Sequence, residues 1–335
     1  MAAQILPNPV DRVEILTVID NVMDLLLLST DVAKRVGPGG REGQRMPMVD
    51  APLLESGHAE DAPVAEHGLS FLISVTSGDS RRTVLFDTGS SVGVLVHNLR
   101  ALGVDRAEIE TIVLSHGHFD HTIGLNGLAE QFRPLPPLVV HPDVWLRRRV
   151  AIPGREPFEL PTTSREKVRA AGFQVIEERQ PSSLLDGDLL VTGEIERTTE
   201  FEHGLPVQQA FRDGEWQADP LMRDDQALVA HLRGRGLVVI TGCGHAGLIN
   251  TVRHARNLTG IDRVHAVVGG FHLATPLFEP IIPPTVEALG ELDPQVVAPT
   301  HCTGWRATHA LAAAFPEAFI PGSVGTRYDL QGGGE

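Results

Sequence analysis

The sequence predicts a layered α/β fold around one core, and three observations predict it. Short apolar runs rich in β-branched residues open the chain as strands. Strand and helix patterns then alternate through both halves. No stretch reads as a linker that would divide the 335 residues into two domains, so residues 1–330 are expected to form one.

The elements follow in order. "RVEILTVIDN" (12–21) alternates apolar and polar residues, the pattern of a strand. Residues 34–65 are dominated by Gly, Pro and charge and read as a loop insertion. "LSFLISVTS" (69–77) and "RTVLFDTG" (82–89) are strands joined by the turn "GDSR", a β-hairpin. "SVGVLVHNLRALG" (91–103) has helical spacing and ends on Gly103, a C-cap. "ETIVLSH" is a short buried strand, "IGLNGLAEQF" a helix and "PPLVVHP" a strand. Residues 147–167 are basic and Pro-rich and read as a loop or lid, with loop insertions expected near 142–165 and 195–225. "SREKVRAAGF" (164–173) is helical, and 224–247 reads as strand, turn, strand and Gly-rich loop. Helices "LINTVRHARNLTG", "IIPPTVEALGEL" and "WRATHALAAAFP" alternate with the strands of "RVHAVVGGFHL" and "QVVAPTHCTG". Residues 331–335, "QGGGE", read as a disordered tail.

Composition narrows the function classes. The formal net charge of -15 repels polyanions, so neither nucleic acid nor an anionic membrane is expected as a partner. Two cysteines, Cys243 and Cys302, make no disulfide framework and suit a reducing compartment. The N-terminus has no basic region, and Asp11, Asp20 and Asp24 interrupt its apolar residues. No apolar run approaches the ~18 residues of a membrane span. A cytoplasmic protein with a small-molecule substrate is expected, and a homodimer is the default oligomer. No P-loop, dinucleotide fingerprint or G-x-S-x-G elbow is present.

"LSHGHFDHTIGL" (114–125) crowds His116, His118, Asp120 and His121 into six positions. On a helix His116 and His118 would lie about 200° apart. On an extended segment they point the same way and can share one ion, and the preceding "TIVL" supplies such a strand. Asp120 and His121 are expected in the following loop, turned toward a second ion. His245, His272 and His301 each follow an apolar run, at strand ends where α/β sheets place their chemistry.

The H-x-H-x-D-H pattern with these downstream histidines resembles the metallo-β-lactamase superfamily. That resemblance implies an αββα sandwich with two metals at one edge between the sheets. It implies a first metal on His116, His118 and His245 and a second on Asp120, His121 and His301. The stretches "AEHGLSFLI", "FDTG", "GEIER", "DDQAL", "GLVVITGCGHAGLINTV", "GGFHL" and "PTHCTG" resemble the subgroup typified by the archaeal dihydropterin ribofuranosyl-aminobenzene phosphate synthase. Many members of the superfamily bridge the metals with an acidic residue between the third and last histidines. Here that strand end is "VVGGFHL", and His272 stands there as a ligand or a substrate contact.

Other residues carry two readings each. Asp87 in "FDTG" either buttresses a ligating histidine or ends its strand in an Asx-turn. Cys243 and Cys302 neighbour proposed ligands and either could be one, since thiolate suits zinc, yet burial as small residues is the expectation. Arg197, Asp224, Asp225 and Gln226 line the substrate cleft or form surface salt bridges. Arg147, Arg148 and Arg149 read as a solvated face, with a phosphate or carboxylate site as the alternative.

Ligands from strand-end loops leave coordination positions open, whereas structural zinc sites are closed. A catalytic site is therefore expected, with two zinc ions per chain, or iron or manganese in their place. Asp120 would orient water and pass a proton, and His272 would contact substrate as an acid or oxyanion donor. The expected activity is hydrolysis of a small ester, lactone, amide or phosphoester. The alternatives are a transferase like the pterin/aminobenzene-phosphate synthase and an iron-dependent oxidoreductase. His118 speaks against iron, which a carboxylate at that position suits better.

Overall fold

Residues two apart on a strand share a face, and in the central strands both faces are apolar. In Arg12–Ile19, Val13 and Ile15 join one core while Leu16 and Val18 join another. Phe71 and Ile73 of Ser70–Ser77 join the first of these, and Leu72 the second. In Gly236–Thr241, Val238 and Ile240 enter the first core, and Leu237 and Val239 a third. Strands of this kind must be covered on both sides.

The computed structural model describes residues 4–37, 39–40 and 45–334 and shows how they are covered. An eight-stranded sheet orders its strands as Val175–Glu177, Leu138–Val140, Ile109–Val113, Ser80–Phe86, Ser70–Ser77, Arg12–Ile19, Arg327–Gln331 and Ala33–Lys34. A seven-stranded sheet runs Ser182–Leu184, Leu189–Val191, Ala227–Leu232, Gly236–Thr241, Val264–Gly270 and Val296–Thr300, with Pro9–Val10 beside Ala227–Leu232. The first core lies between the sheets. Leu95, Leu99, Leu125 and Leu128, from helices Val94–Ala101 and Leu125–Gln131, cover the outer face of the larger sheet. Leu248, Val252, Leu289 and Leu311, from helices Leu248–Thr259, Ile282–Leu292 and Trp305–Ala314, cover the other. The layers are α, β, β, α. Each fully buried Leu or Phe contributes about 1.5–3 kcal/mol.

Direction matters for the site. Ser80–Phe86 and Ile109–Val113 are parallel, as are Gly236–Thr241, Val264–Gly270 and Val296–Thr300. The segments after these strands meet at one edge of the sandwich, where the His116 and His245 rings lie 4.8 Å apart.

Three expectations are corrected. The insertions at 142–165 and 195–225 are not plain loops, and 147–167 is not a free lid. They pair as an antiparallel sheet of Phe158–Glu159, Arg148–Val150, Gln208–Arg212 and Glu215–Ala218. This pairing, with Arg149 opposite Gln209, joins residues 60 positions apart and lies outside the reach of local pattern. Within 34–65, Met48–Asp50 pairs with His58–Glu60, while residues 38 and 41–44 lie outside the described residues. In the tail, Gln331 completes a strand, and the Gly332 and Gly333 amides donate to the carbonyls of Asp11 and Arg233 at 2.7 and 2.8 Å. Residue 335 of that expected tail also lies outside the described residues. No described helix is long and apolar enough to cross a membrane.

The run Arg147 to Arg149 is not one solvated face either. Strand alternation turns Arg148 inward, where it is 1% exposed. Its guanidinium meets Asp224 at 2.6 and 3.0 Å and Asp219 at 3.2 Å. Arg147 pairs with Glu159, and Arg149 lies 4.6 Å above the Trp216 ring. Removing one partner of a buried ion pair strands the other charge. Arg148→Met is therefore expected to cost about 3–5 kcal/mol of stability. Urea unfolding checks this, and a loss under about 1 kcal/mol would show a pair as weak as one in solvent.

Candidate metal centre

The strand Ile109–Val113 ends short of the histidines, and His118 still holds extended backbone at φ -73°, ψ 148°. A single helical turn, Phe119–Thr122, follows. Asp120 and His121 therefore sit on a helical turn rather than in the expected loop. The His116 ring packs 4.7 Å from His118 and 4.3 Å from His121. His245 lies 4.9 Å from His118, and His301 5.0 Å from His121. The structure thus gathers five histidines from three strand ends.

Asp87 sets the orientation of two of them. Its buried carboxylate accepts the Ser115 amide, the Ser115 hydroxyl and His121 Nδ1, each at 2.7 Å. Because the carboxylate only accepts, His121 donates from Nδ1, and Nε2 is the nitrogen turned toward the other rings. The Ser115 hydroxyl, already donating to Asp87, accepts from His116 Nδ1 at 2.9 Å. His116 Nε2 is left with its lone pair and has no hydrogen-bond partner. His301 is held similarly, through Nδ1 to Asn21 Oδ1 at 3.1 Å and its amide to Asp20 at 2.8 Å. Asp87, His272 and His301 all hold left-handed backbone, with φ of 62°, 44° and 49°. Such conformations in non-glycine residues cluster at functional sites. At Gly242 a Cβ would stand 2.1 Å from Ser115 Oγ, so only glycine lets the 241–247 loop close on this network.

The stretch "DDQ" supports the site from behind. Asp224 accepts the Gly117 amide at 2.8 Å, Asp225 the Ala246 amide at 2.7 Å, and Gln226 donates to the Leu114 carbonyl at 2.8 Å. Arg197 clamps the carbonyls of Ile195 and Leu221. The structure places these four on the frame of the site rather than on a cleft wall.

Charge follows burial. Burial drives His116 and His245 well below the usual imidazole range. It takes His118 to about 3, with Arg148 adding to the effect. Burial also opposes charge on His121, but Asp87 and Asp120 outweigh it and raise the ring to about 9. Burial resists ionisation of Asp120, yet His121 and His301 hold it below the ordinary carboxylate range. Neutral imidazoles at His116, His118 and His245 beside an ionised carboxylate are protonation states that metal ligation needs, whereas His121 must release a proton when a metal binds.

The donor atoms suit a metal. Ligand atoms of Asp120, His121, Cys243 and His301 lie within 4.8 Å of one another, as do those of His116, Cys243 and His245. A third such group is Cys243, His272 and Cys302. Both ring nitrogens of His245 lack hydrogen-bond partners in a buried setting. Such orphans are rare unless something else satisfies them. His118 joins neither histidine group. Its Nε2 faces Gln208 Nε2 at 3.1 Å, across from the inserted sheet.

Sequence reasoning missed several of these residues. Gln208 is fully buried, and its alternating strand "VQQAF" was the available signal. His67, in "AEHGLSFLI", is exposed at the mouth with Nε2 3.5 Å from Asp120. Glu202 accepts the amides of Ile249 and Asn250 at 2.9 and 2.8 Å and so caps the helix after His245. Beside His245 and His272 lies a cavity of about 190 Å³ walled by Phe201, Phe271 and Phe278.

Comparison with known proteins agrees with this geometry. The family described as the metallo-beta-lactamase superfamily matches residues 65–241. The 7,8-dihydropterin-6-methyl-4-(beta-D-ribofuranosyl)-aminobenzene-5'-phosphate synthase of Methanocaldococcus jannaschii is 31% identical over 262 residues, 76% of this chain and 87% of that protein. The chain belongs to the metallo-beta-lactamase superfamily. A second protein of that archaeon, the uncharacterized MJ0448, is also 31% identical, over 78% of this chain and 92% of its own. Among solved structures, the metal-dependent hydrolase Tm1679 of the beta-lactamase superfamily superposes with a TM-score of 0.67. It is 24% identical and covers 95% of this chain and 99% of its own. This is an enzyme family, and its metal-binding fold together with the donor cluster supports a divalent metal cofactor.

The frame has a pH signature. Burial pushes Asp225 up to about 6 from an ordinary 3.8. Between these values the folded protein holds a proton that the unfolded chain has lost, so this group lowers stability as pH rises. An Asn can still accept the Ala246 amide but carries no charge. Asp225→Asn is therefore expected to gain stability relative to the parent as pH rises from 3.8 to about 6. Urea unfolding of both metal-free proteins across that window measures it, and a constant difference would contradict the shift.

Proposed function

We propose that the protein is a metal-dependent hydrolase acting in the cytoplasm on a small ester, lactone, amide or phosphoester, with two zinc ions per chain. The observation that carries this reading is the convergence of His116, Asp120, His121, His245 and His301 at one edge of the sandwich, with the His118 ring packed beside them and buried nitrogens lacking partners. A nitrogen-rich donor set with few carboxylates suits zinc over manganese or iron. When bound, such ions supply Lewis acidity and a water acidic enough to ionise near neutral pH.

The chain's own residues do the rest. His116 and His245 would hold one ion, with His118 joining them on giving up its contact with Gln208, and Asp120, His121 and His301 would hold the other. Asp120, anionic and in contact with His301 at 3.3 Å, is placed to take and pass a proton. His272, 4.1 Å from the His245 ring and on the cavity wall, would donate to the developing oxygen of a substrate. Phe271 and Phe278 line that side of the cavity with apolar surface.

A second reading, a transferase like the archaeal synthase, is favoured by 31% identity to that protein. A phosphorylated aromatic amine needs cationic anchors, and no Lys or Arg is among the described residues lining the cavity beside His272. That ranks the hydrolase reading first.

Protein purified without added metal is expected to carry about two zinc ions per chain by elemental analysis. Chelation should lower Tm, and zinc should restore it, because a ligand that binds only the folded state stabilises it. His116→Ala with His118→Ala should abolish metal binding and turnover together on a panel of esters, lactones and phosphodiesters. Asp120→Asn should cut kcat by about 10²–10⁴. Turnover that survives the double histidine replacement, or no turnover on any member of the panel, would refute the hydrolase reading.

A further inference from the structure

We infer that the Cys243 thiolate is itself a metal ligand, seated where the two histidine groups meet. The inference rests on the reading that this centre binds metal.

Cys243 Sγ is the one donor common to all three ligand groups found among the described residues. It lies 3.1 Å from His121 Nε2, the ring nitrogen that Asp87 does not bond. It is also within 4.8 Å of ligand atoms of Asp120 and His301 on one side and of His116 and His245 on the other. The residue is 2% exposed. A small apolar filler in that position would need no such neighbours. It would sit among carbon atoms, whereas this sulfur faces buried imidazole nitrogens that lack partners.

The loop is shaped to put it there. At Gly270 a Cβ would stand 2.4 Å from the Gly242 carbonyl oxygen and 3.2 Å from Cys243 Cα. Glycine at 270 thus lets the 242–244 backbone close over the end of Val264–Gly270. Cys302 Sγ donates to the Cys243 carbonyl at 3.3 Å and fixes the loop from the other side.

Charge balance points the same way. Two divalent ions bring four positive charges, and the six residues proposed to hold them supply one negative charge, from Asp120. The strand end "VVGGFHL" carries no acid. A thiolate at 243 would add an anionic donor to both histidine groups, and a coordinating thiol is deprotonated by its metal. In this step the S–H bond breaks, a sulfur–metal bond forms, and one proton leaves to solvent. Nothing is oxidised or reduced.

Cobalt substitution tests this without relying on turnover. Cys243 and Cys302 are the only cysteines in the chain, so a sulfur-to-cobalt charge-transfer band in the near ultraviolet must arise from one of them. The full-length protein loaded with cobalt should show that band beside the visible ligand-field bands. Cys302→Ser should keep it. Cys243→Ser should lose it while keeping the ligand-field bands, with cobalt affinity weakened about tenfold or more. If Cys243→Ser fails to fold, the band in Cys302→Ser alone still assigns the sulfur. Ligand-field bands without any charge-transfer band would overturn the thiolate ligand and leave the metal centre standing. A charge-transfer band lost in Cys302→Ser would also overturn it. Absence of both kinds of band in the unmodified protein would sink the metal reading along with it.

Discussion

The buried carboxylate of Asp87 is the constraint on which the site depends. A carboxylate taken out of water is costly unless its oxygens are occupied. Here the occupants are the Ser115 amide, the Ser115 hydroxyl and His121 Nδ1. Through Ser115 the same anion also reaches His116 Nδ1. Two imidazoles from one loop are thereby turned so that their Nε2 atoms face inward. Which ring nitrogens face inward is thus set by one residue at the end of the neighbouring parallel strand.

The other half of the centre uses the same physics with different partners. Asp224 and Asp225 accept backbone amides beside His116 and His245, and Asp20 accepts the amide of His301. Glu202 occupies the N-terminus of the helix after His245, so the positive end of that helix is already satisfied. Arg148 neutralises Asp224 and keeps a positive charge close to the cluster, which helps hold His118 neutral. The loops carrying the donors are thus fixed by charged residues that are not donors themselves. Such support holds ligands in a productive arrangement at little entropic cost.

Much of this was legible in one dimension. The alternation of Arg12–Ile19 and Ser70–Ser77 marks strands, and the 114–125 cluster marks a candidate metal site, because period and donor density are local properties. Asp87 was legible as one of two readings, and the structure favours the buttress. The inserted sheet was not legible. Its strands are short, and what pairs Arg149 with Gln209 is a partner far along the chain. Arg148 was misread for the same reason: three arginines in a row give no clue which of them a strand will turn inward.

By itself the sequence determined the layered α/β class and the chemical character of the site, since both rest on which residue types stand next to one another. Tertiary structure alone decided which atoms face each other. It put Cys243 against His121 and brought Gln208 to His118. It also withdrew Asp224, Asp225 and Arg197 from the cleft into the frame. The physical reason is that donor direction depends on partners at strand ends more than a hundred residues apart, as with Cys243 and His121. Only the packing of two sheets on one core brings those ends together.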